Sequence, residues 1–178
     1  DYEFPNSACY RPIFVGEKCA NALKNERFYQ DSVGVNIAEK NSSFCELTGL
    51  YWAWQNGIFK NNQYVGLVHY RRYFAGKKLC LKKQHIASES ELLSLLEKYE
   101  AILPKKRNYF IESIYSHYQH AHYVKDLNCT REIISELYPE YITSFDAIMQ
   151  GRKIHIYNMF VMSSENTSEY CQWLFPIL

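Results

Sequence analysis

The sequence predicts a mixed α/β fold in one domain, residues 1–178, with a mostly parallel or mixed central sheet flanked by helices. Three observations predict it. Tyr64-Val-Gly-Leu-Val68 is an unbroken apolar run, set between the turn-forming Asn61-Asn62 and Gly76. A run of that kind reads as a strand covered on both faces, and such strands belong mainly to parallel or mixed sheets. Lys153 to Met162 gives a second strand signal late in the chain, and stretches with helical spacing lie between the two. A chain of 178 residues has the length of one domain and can bury a substantial core.

Taken in order, residues 1 to 40 are irregular, with a short strand in Arg11-Pro-Ile-Phe-Val-Gly16. Asp31-Ser-Val-Gly-Val-Asn36 reads as a loop, because Asp, Gly and Asn favour turns. A helix is expected over Asn41 to Ile58. Ser43 and Glu46 have capping-box spacing, and Phe44, Leu47, Tyr51 and Trp54 recur at helical intervals, with Gly57 placed as a C-terminal cap. Residues 77 to 87 carry Lys77, Lys78, Lys82 and Lys83 and read as a mobile, solvated loop. Ser88-Glu-Ser-Glu91 opens a helix that runs to about Tyr99, and Ala101-Ile-Leu103 is a short strand ended by Pro104. Ile111 to Tyr123 has a helical pattern, Asp126-Leu-Asn128 breaks it, and Thr130 to Leu137 resumes it. Pro139 opens a further helix that ends near Gly151. Glu165 to Phe175 is the last.

Composition excludes several classes. Lys+Arg is 20 and Asp+Glu 19, a net charge of +1, without the basic excess of a dedicated nucleic-acid binder. The six cysteines (Cys9, Cys19, Cys45, Cys80, Cys129, Cys171) form no C-x-x-C pair, so zinc-ribbon and redox motifs are absent. They read as reduced thiols of a cytosolic protein. No apolar run reaches the length of a membrane span, and no signal-peptide pattern is present. The chain begins at Asp1 and ends in the apolar Trp173-Leu-Phe-Pro-Ile-Leu178, so it reads as a piece of a longer protein.

The candidate site begins where the apolar run stops. His69-Tyr-Arg-Arg-Tyr73 follows directly on Val68, and α/β sheets bind ligands beyond the carboxyl ends of their strands. His69, Arg71 and Arg72 therefore point to an anion, most simply a phosphate, which the guanidinium fork grips with two bonds. The alternative is a pair of arginines held in structural ion pairs. His117 and His120 share a helix face and His122 points elsewhere; a zinc site would need further ligands, and no metal site is expected. G-x-G-x-x-G, Walker and G-x-S-x-G motifs are missing. Asn158 interrupts the late strand as either a satisfied core amide or a ligand contact.

Several blocks together resemble a known family. These are Asp31-x-x-Gly34-x-Asn36-Ile-x-x-Lys40-Asn41, Cys45-Glu-Leu-Thr-Gly-Leu-Tyr-Trp52, and Val65-Gly-Leu-Val-His-Tyr-Arg-Arg-Tyr-Phe74. Ile102-Leu-Pro104, His117-Tyr118, His122 to Leu127 and Tyr157-Asn-Met-Phe-Val-Met162 also match. The family is a bacterial capsular and exopolysaccharide biosynthesis group, long known only as a domain of unknown function and associated with glycosyltransferases of the GT-A type. The resemblance implies a GT-A-like single domain that continues past Leu178. It implies a nucleotide-sugar donor of the UDP-galactose type and an oligosaccharide or lipid-linked saccharide acceptor. Many such enzymes place Asp-x-Asp at the end of a core strand to hold a divalent metal; His69-Tyr70-Arg71 stands there instead. Transfer without a required cofactor is therefore expected, with Arg71 and Arg72 neutralising the diphosphate, while a divalent metal such as Mn²⁺ is the alternative.

On this reading Asp31, Asn36 and Asn41 contact the base and ribose, Asn158 lines the sugar pocket, and Asp126, His122 and His117 supply acid–base chemistry. The expected location is cytoplasmic, with peripheral association at the inner membrane face as an option and no nucleic-acid partner. Two other functions compete: a non-catalytic carbohydrate- or nucleotide-binding module of a larger polysaccharide-biosynthesis protein, and a phosphate-ester hydrolase using the histidines.

Overall fold

Phe160 and Val161 are the buried apolar centre of the main sheet, and they lie in its middle strand. In the computed structural model, which describes residues 3–16 and 28–178, this strand is β9 (Phe160–Ser163). It pairs antiparallel with β3 (Tyr64–Leu67) on one side and β6 (Ala101–Ile102) on the other. Leu67 faces Phe160 and Tyr64 faces Ser163 in register. The fold class is the expected mixed α/β. Strand pairing is parallel between β1 (Ile13–Phe14) and β2 (Tyr29–Gln30) and antiparallel elsewhere among the described residues. One expectation is corrected: the run from Tyr64, read as a strand covered on both faces, is an edge strand among the described residues. Its residues are half-buried or exposed, because β9 carries the burial that the apolar run seemed to promise.

The described residues fall into two compact units, residues 1–103 with 159–171, and residues 104–158 with 172–178. In the first, the expected helix Asn41–Ile58 is two helices, α1 (Asn41–Phe44) and α2 (Leu47–Gln55). Cys45 separates them with a positive φ of 49°, so Ser43 and Glu46 cannot form one capping box. The break also turns the buried face. Thr48, Leu50 and Trp52 are buried, whereas Leu47 and Trp54 are only half-buried. Gly49 lets α2 approach β1: a Cβ there would lie 3.0 Å from Val15 Cγ1 and 3.2 Å from Ile13 Cδ1.

Residues 77 to 87, expected as a mobile loop, form a β-hairpin of β4 (Ala75–Leu81) and β5 (Gln84–Ile86). Lys82 and Lys83 make its two-residue turn with φ of 46° and 69°. Both values are positive, as the turn that matches strand twist requires. Leu81 and Ile86 bury themselves with Tyr10 in one cluster, so the lysines are the solvent side of a hairpin. The following α3 (Glu89–Leu96) has a true capping box from Ser88 and Glu91. Glu91 also accepts from the Lys77 N–H at 2.8 Å, tying the helix start to the hairpin. These bonds, those from the Ser88 backbone and hydroxyl first, hold the Glu91 carboxyl down at about 2.

In the second unit, β7 (Arg107–Asn108) pairs with β8 (Lys153–Ile154). The same unit holds α4 (Ile114–Ala121), α5 (Val124–Leu137) and α6 (Ile142–Gln150), with α6 packed on both α4 and α5. Asp126-Leu-Asn128 does not break a helix, as expected, but lies in the first turns of α5; the break falls at His122 and Tyr123. The late strand is likewise two strands, β8 and β9. Tyr157 and Asn158, with φ of 84° and 51°, turn the chain between them. The final helix is α7 (Ser164–Leu174), and its Trp173 packs on Tyr138 and Tyr141. Among the described residues, Cys9, Cys45, Cys80, Cys129 and Cys171 are unpaired; Cys19 lies outside them. Burial pushes the Cys171 thiol up to about 12. No helix among the described residues is long and apolar enough to cross a membrane.

Candidate functional site

The chain leaves β3 through a tight turn. The His69 N–H donates to the Arg72 carbonyl at 3.2 Å, and the Arg72 N–H returns the bond at 3.1 Å. Such an exchange is the hydrogen-bonded pair of an antiparallel ladder, here closed by Tyr70 and Arg71. The Arg71 guanidinium lies 4.8 Å from the Tyr70 ring centroid. His69 turns inward, 15% exposed, with Nε2 3.2 Å from Glu46 Oε1. Arg71 and Arg72 are exposed.

A cleft opens beside this turn. Val68, His69, Tyr70 and Tyr73 line one wall, and Tyr10 and Arg11 contribute to the other. Tyr73 meets Tyr10 edge-on at 5.5 Å. Tyr10 donates to the Ala87 carbonyl at 2.7 Å, and burial raises its phenol to about 12, so it stays neutral. Arg11 donates to the Tyr29 hydroxyl at 2.8 Å. The cleft thus joins a guanidinium, an imidazole and tyrosine rings, a set suited to an anionic group attached to a planar or sugar moiety. Arg11 was missed in the sequence, where it stood in an irregular segment; its one signal was the following Pro12, which fixes the local backbone.

The loop after β2 is held from inside. Asp31 is fully buried. Its Oδ1 accepts from the Gly16 N–H at 2.9 Å and its Oδ2 from the Thr48 hydroxyl at 2.5 Å. Asn41 joins the same network, donating to Thr48 Oγ1 at 3.2 Å and to the Cys45 carbonyl at 2.8 Å. Asn36 caps its own loop, accepting from the Ala38 N–H and donating to the Gly34 carbonyl. Trp52 Nε1 donates to the Val33 carbonyl at 2.6 Å. Asn56 clasps Val35 through both its N–H and its carbonyl. Gly34, at φ 72°, gives the turn room beside Asn56. Asp31 and Asn41 therefore shape this loop from within, and its outward surface is formed by Val33, Gly34 and Val35, all exposed.

The histidine helix divides the remaining candidates. His117 Nδ1 lies 2.8 Å from Glu112 Oε1, and His120 Nδ1 lies 3.1 Å from Glu112 Oε2. A carboxylate only accepts, so Nδ1 of each ring carries the proton and a neutral His117 offers Nε2. The His117 bond, then those of His120 and Ser116, lowers the Glu112 carboxyl. Tyr109 stacks on His117 with centroids 4.0 Å apart. His122 packs on Tyr118 instead, and Asp126 is exposed in the first turn of α5. Asn158, expected inside a strand, is exposed in the turn before β9. Glu112 was missed because it belongs to no motif; the structure places it just before α4 and not in the expected helix. Among the described residues, no group of three or more His, Cys, Asp and Glu side chains is arranged to hold a metal ion.

The fold is glycosyltransferase-like. It superimposes on the solved apo structure of WbbM, a bifunctional glycosyltransferase, with a TM-score of 0.84 and 31% sequence identity, covering 99% of this chain and 34% of that one. The chain belongs to the family described as a domain of unknown function (DUF4422), which matches residues 1–178. It spans about a third of the length of WbbM. No curated protein matches it.

Proposed function

We propose that this chain is a glycosyltransferase domain that moves a sugar from a nucleotide-sugar donor, of the UDP-galactose type, to a growing capsular or exopolysaccharide acceptor. The observation that carries the reading is the likeness to a glycosyltransferase along almost the whole chain. In the reaction the bond from the sugar C1 to the diphosphate oxygen breaks, and its electron pair leaves with the diphosphate. The acceptor hydroxyl oxygen bonds to C1 and gives its proton to a base.

Cations fixed beside the diphosphate stabilise the charge that develops there. Arg71 and Arg72 take that role, joined by Arg11 in the cleft that His69 also lines. The exposed face of the loop from Asp31 to Asn41 receives the base and ribose, held in shape by Asp31, Asn36 and Asn41. In the second unit Asp126, His122 and His117 are the candidate acid–base groups; Glu112 fixes the tautomer of His117 and leaves its Nε2 to accept. The domain acts in the cytoplasm, at the inner face of the membrane where its acceptor is lipid-linked.

Incubation of the full-length protein with a panel of nucleotide sugars and saccharide acceptors, with and without Mn²⁺, tests this. Transfer, or slow hydrolysis of one donor, is the expected result. Binding without turnover overturns it in favour of a binding module. Phosphate release from simple esters overturns it in favour of a hydrolase.

A further inference from the structure

The second unit holds a cleft of about 400 Å³ between α4, α5 and α6, which lies in the size range of small-molecule sites. Four of its polar side chains are joined in two pairs before any ligand arrives. Arg131 on α5 grips Asp146 on α6 with two bonds, Nε to Oδ1 at 2.7 Å and Nη2 to Oδ2 at 2.6 Å. The pairing holds the Asp146 carboxyl below its usual range and raises Arg131. Across the cleft the Tyr115 hydroxyl donates to Asn128 Oδ1 at 3.1 Å, so Asn128 presents its amide N–H groups as donors. The Gln150 amide also lines the space, and the Tyr115 and Phe145 rings and Met149 give it an apolar floor.

The chemistry selects the ligand. A guanidinium already committed to a carboxylate has little to offer a phosphate, so the cleft does not suit a nucleotide. Amides and hydroxyls offering donors and acceptors suit neighbouring hydroxyl groups, while aromatic and thioether surface suits the C–H face of a ring. We propose that this cleft binds an uncharged saccharide through Tyr115, Asn128 and Gln150. Its service as an acceptor site rests on the glycosyltransferase reading; the binding does not.

The chain has three methionines, and Met149 alone lines the cleft among the residues named there. The test is a titration of ¹³C-methyl-methionine full-length protein with galactose and galactobiose, with galacturonic acid as the charged control. The expected result is a saturable shift of the Met149 methyl with a Kd on the order of 1 mM, with the buried Met159 unmoved. Tyr115→Ala and Gln150→Ala should each weaken that binding about tenfold, their Met159 and Met162 signals showing that the fold is intact. A Met149 methyl unmoved by the neutral sugars, tighter binding of galacturonic acid, or variants that bind as the parent does would each overturn the proposal. Donor turnover with a silent Met149 would remove this site alone. A Met149 response without turnover from any donor would remove the transferase reading and leave the site.

Discussion

Glu46 holds His69: the carboxylate Oε1 and the imidazole Nε2 are 3.2 Å apart. The contact fastens the start of α2 to the turn that closes β3, and so joins the block Cys45 to Trp52 with the block Val65 to Phe74. Because a carboxylate only accepts, Nε2 carries the proton. Glu46→Ala should release the ring and weaken UDP-galactose binding about threefold to tenfold, the loss of one hydrogen bond of roughly 1 kcal/mol. Calorimetric titration of the full-length protein measures it. An unchanged affinity would confine the pair to packing.

Trp52, not Trp54, anchors α2. It is 8% exposed, meets Tyr29 at 5.2 Å between centroids and donates to the Val33 carbonyl. Trp52→Ala should destabilise the fold by about 3–5 kcal/mol, and Trp54→Ala by clearly less. Urea unfolding of both variants settles the order, and equal losses would contradict the break at Cys45.

Glu91 makes the start of α3 acid-sensitive. Its carboxyl sits at about 2 in the folded chain, against an ordinary value of 4.5. The folded value is the lower one, so its stabilising effect is complete above the ordinary value and fades as pH falls from there toward 2. Glu91→Gln should flatten that part of the stability curve and leave the slope near neutral pH unchanged. Unfolding midpoints across this range give the reading; an identical acid limb in the variant would show that other carboxylates control it.

Much of this was legible in the sequence because local chemistry dictated it. Ser88 and Glu91 announced their cap, Pro139 its helix, and the apolar run its strand. What escaped depended on partners distant in the chain. The run from Tyr64 was indeed a strand, but only the pairing partner β9 shows that β3 lies at an edge. Lys82 and Lys83 looked like a solvated loop, since the apolar residues that make the hairpin bury against Tyr10, far away in sequence. The site divided in the same way. His69, Arg71 and Arg72 stood together in one motif, whereas Arg11 reaches Tyr29 through tertiary structure alone; Glu112 stood close to its histidines in the chain but in no motif. Asp31 and Asn41 were singled out by their motif, yet their burial and their bond to Thr48 were not visible in it.

The central claim is that the turn after β3 receives the donor diphosphate. Its most direct test is calorimetric titration of UDP-galactose into the full-length protein and into its Arg71→Ala and Arg72→Ala variants, with the thermal unfolding of each recorded. At least one substitution should weaken binding about tenfold or more, equivalent to about 1.4 kcal/mol, with the melting temperature preserved. If both variants are folded and bind the donor as tightly as the parent, the turn is structural and the diphosphate is held elsewhere.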